Sequence, residues 1–174
     1  MMRVTIAQVV DAFDLLYSNI HDRAFRKSLR LDQWSERELL PLVRSSLLGY
    51  FRVCAPEVKV RLPGGKSGYG YVDFMIGNIA VELAVRRPKD RKSPLSAAFN
   101  TTEIKKLMMH SGPSVLILYD FSRHPFEEHE LERYREYPSF GKGNFIKSGF
   151  NISYFFLSDA RRRDYDSYQM NIRV

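Results

Sequence analysis

Residues 71–87 read YVDFMIGNIAVELAVRR. Two apolar, β-rich runs flank Gly77-Asn78, a dipeptide of the kind that closes two-residue hairpins. The spacing predicts two strands, with Ile76 opposite Ile79, Met75 opposite Ala80, Phe74 opposite Val81 and Asp73 opposite Glu82. Side chains alternate between the faces of a strand. One face therefore collects Val72, Phe74, Ile76, Ile79, Val81, Leu83 and Val85, a core face. The other collects Tyr71, Asp73, Met75, Ala80, Glu82, Ala84 and Arg86. Counted outward from the turn, Asp73 and Glu82 form a non-hydrogen-bonded pair, whose α-carbons stand only ~4.5 Å apart. Like charges placed there repel. A divalent cation, a basic side chain or a shared proton has to offset them. Magnesium suits two close carboxylates, because it prefers oxygen ligands and keeps water for chemistry. The plainer alternative is a solvated face neutralised by Arg86.

Outward from this hairpin, the upstream VKVRL (58–62) alternates as a strand, and PGGKSGYG (63–70) reads as a loop. SERELLPLVRSSLLGYF (35–51) has helical periodicity, with Ser35 and Glu38 in capping-box spacing. Pro41 within it predicts a kink or a later start. TIAQVVDAFDLLYSNIHDRAFRKSL (5–29) predicts a covering helix, in one or two pieces. Downstream, RRPKDRKSP (86–94) is a basic loop, and a helix is expected at least from Thr102, ended by Gly112. SVLILYDFS (114–122) is an apolar run of the kind buried on both faces. HPFEEHELERYREY (124–137) predicts an exposed charged helix, NISYFFLSD (151–159) another buried strand, and the tail an edge strand. The expected class is α/β, an α+β mixed sheet with helices on its faces. One domain is expected over 1–174, with a core at about 35–122, a helical cover at 1–34 and a C-terminal elaboration at 123–174.

Composition agrees with one soluble globular domain. The chain has 174 residues, 44% apolar and 27% charged, enough for a full core. No apolar run approaches the ~20 residues that span a bilayer. The N-terminal stretch lacks the pattern of a secretory signal, since acids interrupt it and no small-residue cleavage site follows. Cys54 is the single cysteine, which excludes an internal disulfide and fits a reducing cytoplasm, the expected compartment. The net charge of +7 favours polyanionic partners.

VDFMIGNIAVELAV (72–85) resembles the core of the PD-(D/E)XK nuclease superfamily, the restriction-endonuclease-like fold. There, an apolar strand carrying an aspartate turns into a second strand carrying acid-x-lysine. Asp73 matches the first acid and Glu82 the second. The superfamily's order of helix, three antiparallel strands, helix and strand matches the segments from Ser35 to Ser122. The resemblance implies a metal-dependent nuclease hydrolysing phosphodiester bonds in DNA or RNA, DNA before RNA, with Asp73 and Glu82 holding Mg2+ or Mn2+. It also implies a third acid from the first core helix. Glu36 points towards the sheet and is preferred over Glu38, which has a capping role. Both are also helix-start acids that the helix dipole favours.

Ala84 stands where the pattern carries lysine. Substitutes are sought in Arg86 on the same face, in Lys105 and Lys106 on the next helix, and in Lys66 in the preceding loop. Of these Arg86 and Lys105 are taken as the catalytic candidates. Arg86, Arg87, Lys89, Arg91, Lys92 and Lys66 are the expected nucleic-acid contacts, which would make binding salt-dependent. The alternative to an active nuclease is a catalytically impaired nuclease fold serving as a nucleic-acid-binding or assembly module. No membrane partner is expected, and a homodimer is one expected state. Arg161, Arg162 and Arg163, near Tyr165 and Tyr168, add charge and stacking rings, although tyrosines near a terminus more often dock on the core. The four histidines show no zinc spacing. GGKSG lacks the full phosphate-loop spacing and lies between two strands, which excludes an ATP site.

Overall fold

The computed structural model describes residues 4–136, 138–141, 145–159 and 164–174. Its centre is a six-stranded mixed sheet in the order β1-β2-β3-β4-β5-β6. The strands are β1 Ala55–Arg61, β2 Tyr69–Ile76, β3 Ile79–Arg86, β4 Ser114–Asp120, β5 Phe150–Asp159 and β6 Asp164–Ile172. β1, β2 and β3 form an antiparallel meander, β3, β4 and β5 run parallel, and β6 returns antiparallel along the edge. The helices among the described residues are α1 Ile6–His21, α2 Arg23–Ser28, α3 Glu36–Phe51, α4 Thr101–Met109 and α5 Glu128–Glu132. Among the described residues, no helix is long and apolar enough to cross a membrane.

The Gly77-Asn78 turn forms as its sequence requires. Gly77 takes φ 62°, open to a residue without Cβ, and Ile76 pairs with Ile79. The core then divides between the two faces of the sheet. On the first, α1 and α3 lay Val9, Phe13, Tyr17, Leu39, Val43 and Leu47 against Phe74, Ile76, Val81, Leu83 and Ile117. Two buried hydroxyls pin α1 to β4: Tyr17 Oη donates to the Asp120 carbonyl and Tyr119 Oη to the Phe13 carbonyl, both at 2.6 Å. On the second face, α4 sets Ile104, Leu107 and Met108 against Ala80, Ala84, Leu116 and Leu118. β4 is buried at every position, as a central parallel strand covered on both sides must be.

Three expectations need correction. The second face of the hairpin is not open to solvent: every residue of β3 is buried, and Ala80 and Ala84 form the floor on which α4 packs. Val72 leaves the face of Phe74 and joins the second cluster, so β2 turns over between them, at Asp73. α3 starts at Glu36, just after its Ser35 cap, and its range includes Pro41, which lacks the N–H that the Arg37 carbonyl would accept, a loss tolerated one turn from a helix start. The charged segment at 124–137 contributes only the short α5 and one 3-10 turn, with Leu131 and Tyr134 buried. Arg161, Arg162 and Arg163 lie outside the described residues. Tyr165 packs its ring on Tyr17 at 5.7 Å, a docking role.

Candidate functional site

The two strand acids meet where the sheet comes apart. The β2–β3 ladder stops at Phe74–Val81. On the other side, the β1–β2 ladder passes from Pro56–Phe74 to Val58–Val72 without a Glu57–Asp73 pair. Glu57 there takes φ 49°, an unusual backbone for a residue with a Cβ. β2 is thus free of both neighbours at Asp73. The Asp73 carboxylate fills the gap, its Oδ2 accepting the Leu83 N–H at 2.8 Å. The expected pair at Asp73 and Glu82 is therefore a fork rather than a continued ladder, in which each acid feels the other.

A cation reaches this fork from α4. Lys106 is buried, and its Nζ stands 2.6 Å from Glu82 Oε1 and 3.9 Å from Glu103 Oε1. The same Nζ donates to the Tyr71 carbonyl at 2.8 Å. Glu82 Oε1 has no hydrogen-bond donor among the described residues, so its contact with Lys106 is an ion pair of poor hydrogen-bond angle. Gly70 makes room for the lysine: a Cβ there would stand 3.0 Å from Lys106 Cδ and 3.2 Å from Leu62 Cδ2. The direction of Lys106 follows from helix geometry. Ile104, Leu107 and Met108 face the sheet, which leaves Lys106 on the flank towards β2 and swings Lys105 away, its Nζ 5.9 Å from the Phe140 ring.

Three carboxyls are held above their usual range. Burial raises Glu82 well above it; the neighbouring Asp73 charge adds to this and Lys106 opposes it. Burial also raises Asp73, against the bond from Leu83. Glu36, at the first position of α3, is pushed up to about 7 by surrounding protein, by Asp73 and by Glu103. Its side chain is exposed at the rim, where solvent screens the Asp73 and Glu103 charges. Glu38 is occupied elsewhere, accepting from Ser35 N at 2.7 Å and Ser35 Oγ at 2.6 Å.

The other sequence candidates separate from this group. Arg86 is corrected as a partner of the acids: its Nη1 pairs with Asp120 Oδ2 at 3.1 Å and donates to the His124 carbonyl at 2.8 Å. β3 carries it past the fork to the far end of the sheet, where Tyr154 Oη also donates to Asp120 Oδ2 at 2.8 Å. Lys105 is corrected in favour of its neighbour Lys106. Arg87 pairs with Asp90 at 3.0 Å and Lys92 with Glu130 at 2.6 Å, while Lys89, Arg91 and Lys66 are exposed. Sequence reasoning missed Glu103, whose charge is felt by Glu36, Asp73 and Glu82. Its signal was available: it stands one turn before Lys106 on α4.

A groove of about 460 Å³ opens beside Asp73, between α3 and the β1–β2 edge, with Leu40, Arg44, Leu48 and Phe74 among its walls. Among the described residues, no group of three or more His, Cys, Asp and Glu side chains is arranged to hold a metal ion. The expected three-acid set of Glu36, Asp73 and Glu82 thus reduces to a close strand pair with Glu36 at the rim. The chain matches no protein-family model, no curated protein and no solved structure.

Proposed function

We propose that this protein is a metal-dependent nuclease with a restriction-endonuclease-like core, in which Lys106 of α4 replaces the lysine absent at Ala84. The observation that carries the reading is the 2.6 Å contact between Lys106 Nζ and Glu82 Oε1. It brings a cation to the acid-bearing fork from a different element than the strand motif uses. The donor set also fits a hard divalent ion. Mg2+ is held by one or two carboxylates and keeps its remaining ligands as water or phosphate oxygen. Asp73 and Glu82 offer two neighbouring carboxyls, and the buried Glu82 Oε1 has Lys106 Nζ as its contact at 2.6 Å. Burial is the first cause of their raised proton affinities, and Lys106 opposes it at both acids. A bound Mg2+ or Mn2+ would polarise the phosphate and acidify a water.

The chain's own residues supply the rest. Water attacks phosphorus, the bond to the leaving oxygen breaks, and the proton lost by water passes to a base. Glu36, pushed up to about 7, is matched to that task near neutral pH. Lys106 is held in place by the Tyr71 carbonyl, and its charge favours the extra negative charge that develops on phosphate. Ala84 in the motif position favours one second reading, a fold that binds nucleic acid without cutting it.

The test is cleavage of a labelled DNA and RNA pool with Mg2+ or Mn2+ by wild type, Asp73→Ala and Lys106→Met. Cleavage that is abolished by chelator and by Asp73→Ala, and lost in Lys106→Met, is the expected result. Full activity in Asp73→Ala overturns the proposal, and full activity in Lys106→Met removes Lys106 from it. Salt-sensitive binding with no cleavage selects the second reading.

A further inference from the structure

We propose that the groove beside Asp73 receives a base of an unpaired nucleic-acid strand, which makes single-stranded nucleic acid the preferred substrate class. This rests on the nuclease reading for its substrate but on separate residues for its argument. Leu40, Arg44 and Leu48 recur at four-residue spacing after Glu36, so one ridge of α3 leads from the acids along the groove. Leu40, Pro41 and Leu48 line it together with Phe74, and Leu48 is 39% exposed. The volume of about 460 Å³ is within the range of small-molecule sites and suits one nucleoside rather than a duplex.

The charges in the groove decide what lies where. Asp73 and Glu57 line it, and both repel a phosphate chain laid along its length. Arg44 is the cation among its lining residues, two turns beyond Glu36. Phosphates are therefore favoured at the two ends, beside Arg44 and at the acid fork once a metal is bound, with an uncharged ring between them. A duplex keeps its bases stacked inside and presents phosphates outward. An unpaired strand can turn a base into an apolar slot, a contact that tolerates any sequence.

The experiment measures binding and cleavage separately. Fluorescence anisotropy with Ca2+ in place of Mg2+ would follow a labelled single-stranded DNA, the RNA of the same sequence and the DNA duplex, with wild type, Arg44→Glu and Leu48→Glu. Both positions are exposed, and circular dichroism checks that the fold is kept. Wild type is expected to prefer a single strand by about tenfold, the order of burying part of one base against the aliphatic side chains of Leu40, Pro41 and Leu48. Each variant should lose that preference while duplex binding stays the same. The DNA and RNA arms identify the sugar. Equal or tighter duplex binding, or variants that bind single strands as wild type does, overturns the groove. Metal-supported cleavage with no effect of either variant sinks the groove and spares the nuclease. Single-strand binding that the variants abolish, with no cleavage, does the reverse.

Discussion

Replacing Lys106 by methionine keeps the length of its stem and removes its charge, which isolates what the ion pair does for the fold. The side chains of Lys106 and Glu82 are 9% and 2% exposed, so water screens them little. Removing one partner of a buried pair costs roughly 3–5 kcal/mol, because the other charge stays buried and uncompensated. For a domain of this size that is a fall of roughly 6–20 °C in Tm. The double variant Lys106→Met/Glu82→Gln removes both charges and should return close to wild type. Urea unfolding in chelator, read by circular dichroism, gives all four corners of the cycle. The penalty of Lys106→Met should also shrink as pH falls. The Glu82 carboxyl titrates well above its usual range, and once protonated it no longer needs the ammonium. Saturating Mg2+ should restore part of the loss, since a ligand that binds only the folded state stabilises it. A cost below ~1 kcal/mol for the single variant, the size of an exposed pair, would refute the reasoning. So would a double variant that loses as much as the two single variants summed.

Glu36→Gln should stabilise the protein slightly at about pH 8, and differential scanning fluorimetry against pH reads it. The folded value of about 7 lies above the ordinary 4.5, so Glu36 favours the fold at acid pH and loses that contribution as pH rises through 7. The gain is held to a fraction of ~1 kcal/mol by solvent at the rim. Arg86→Met strands the Asp120 carboxylate, whose side chain is 0% exposed, and should cost roughly 3–5 kcal/mol in urea unfolding. Any loss of cleavage in that variant should follow its loss of folded protein. Gly70→Ala drives a methyl to within 3.0 Å of the Lys106 stem. It should cost roughly 1–3 kcal/mol and reduce kcat more than nucleic-acid binding, measured by single-turnover cleavage.

The hairpin, its turn and its first core face were legible because period-two alternation and Gly77-Asn78 are local signals. So was the capping box of Ser35 and Glu38. What failed was information that no strand carries alone. A solvated second face of β3 stayed open as an alternative because no strand shows what covers it; α4 does, packing on Ala80 and Ala84. Val72 was assigned by alternation, which presumes an unbroken ladder, and the ladder breaks at Asp73. Arg86 shares a face with Glu82 by parity, but four residues of rise along β3, about 13 Å, carry it to Asp120. Lys105 and Lys106 were adjacent in sequence, and only the helical direction set by Ile104, Leu107 and Met108 separates them.

Bringing the ammonium from α4 has a cost in robustness. The meander can hold Asp73 and Glu82 by itself, but the constellation is complete only while the helix stays seated. That helix is nine residues long, short enough to need its tertiary seat, and hydrogen exchange would locate it among the first segments to open. Partial loosening that spares the sheet would then withdraw Lys106 from Glu82 before the protein unfolds.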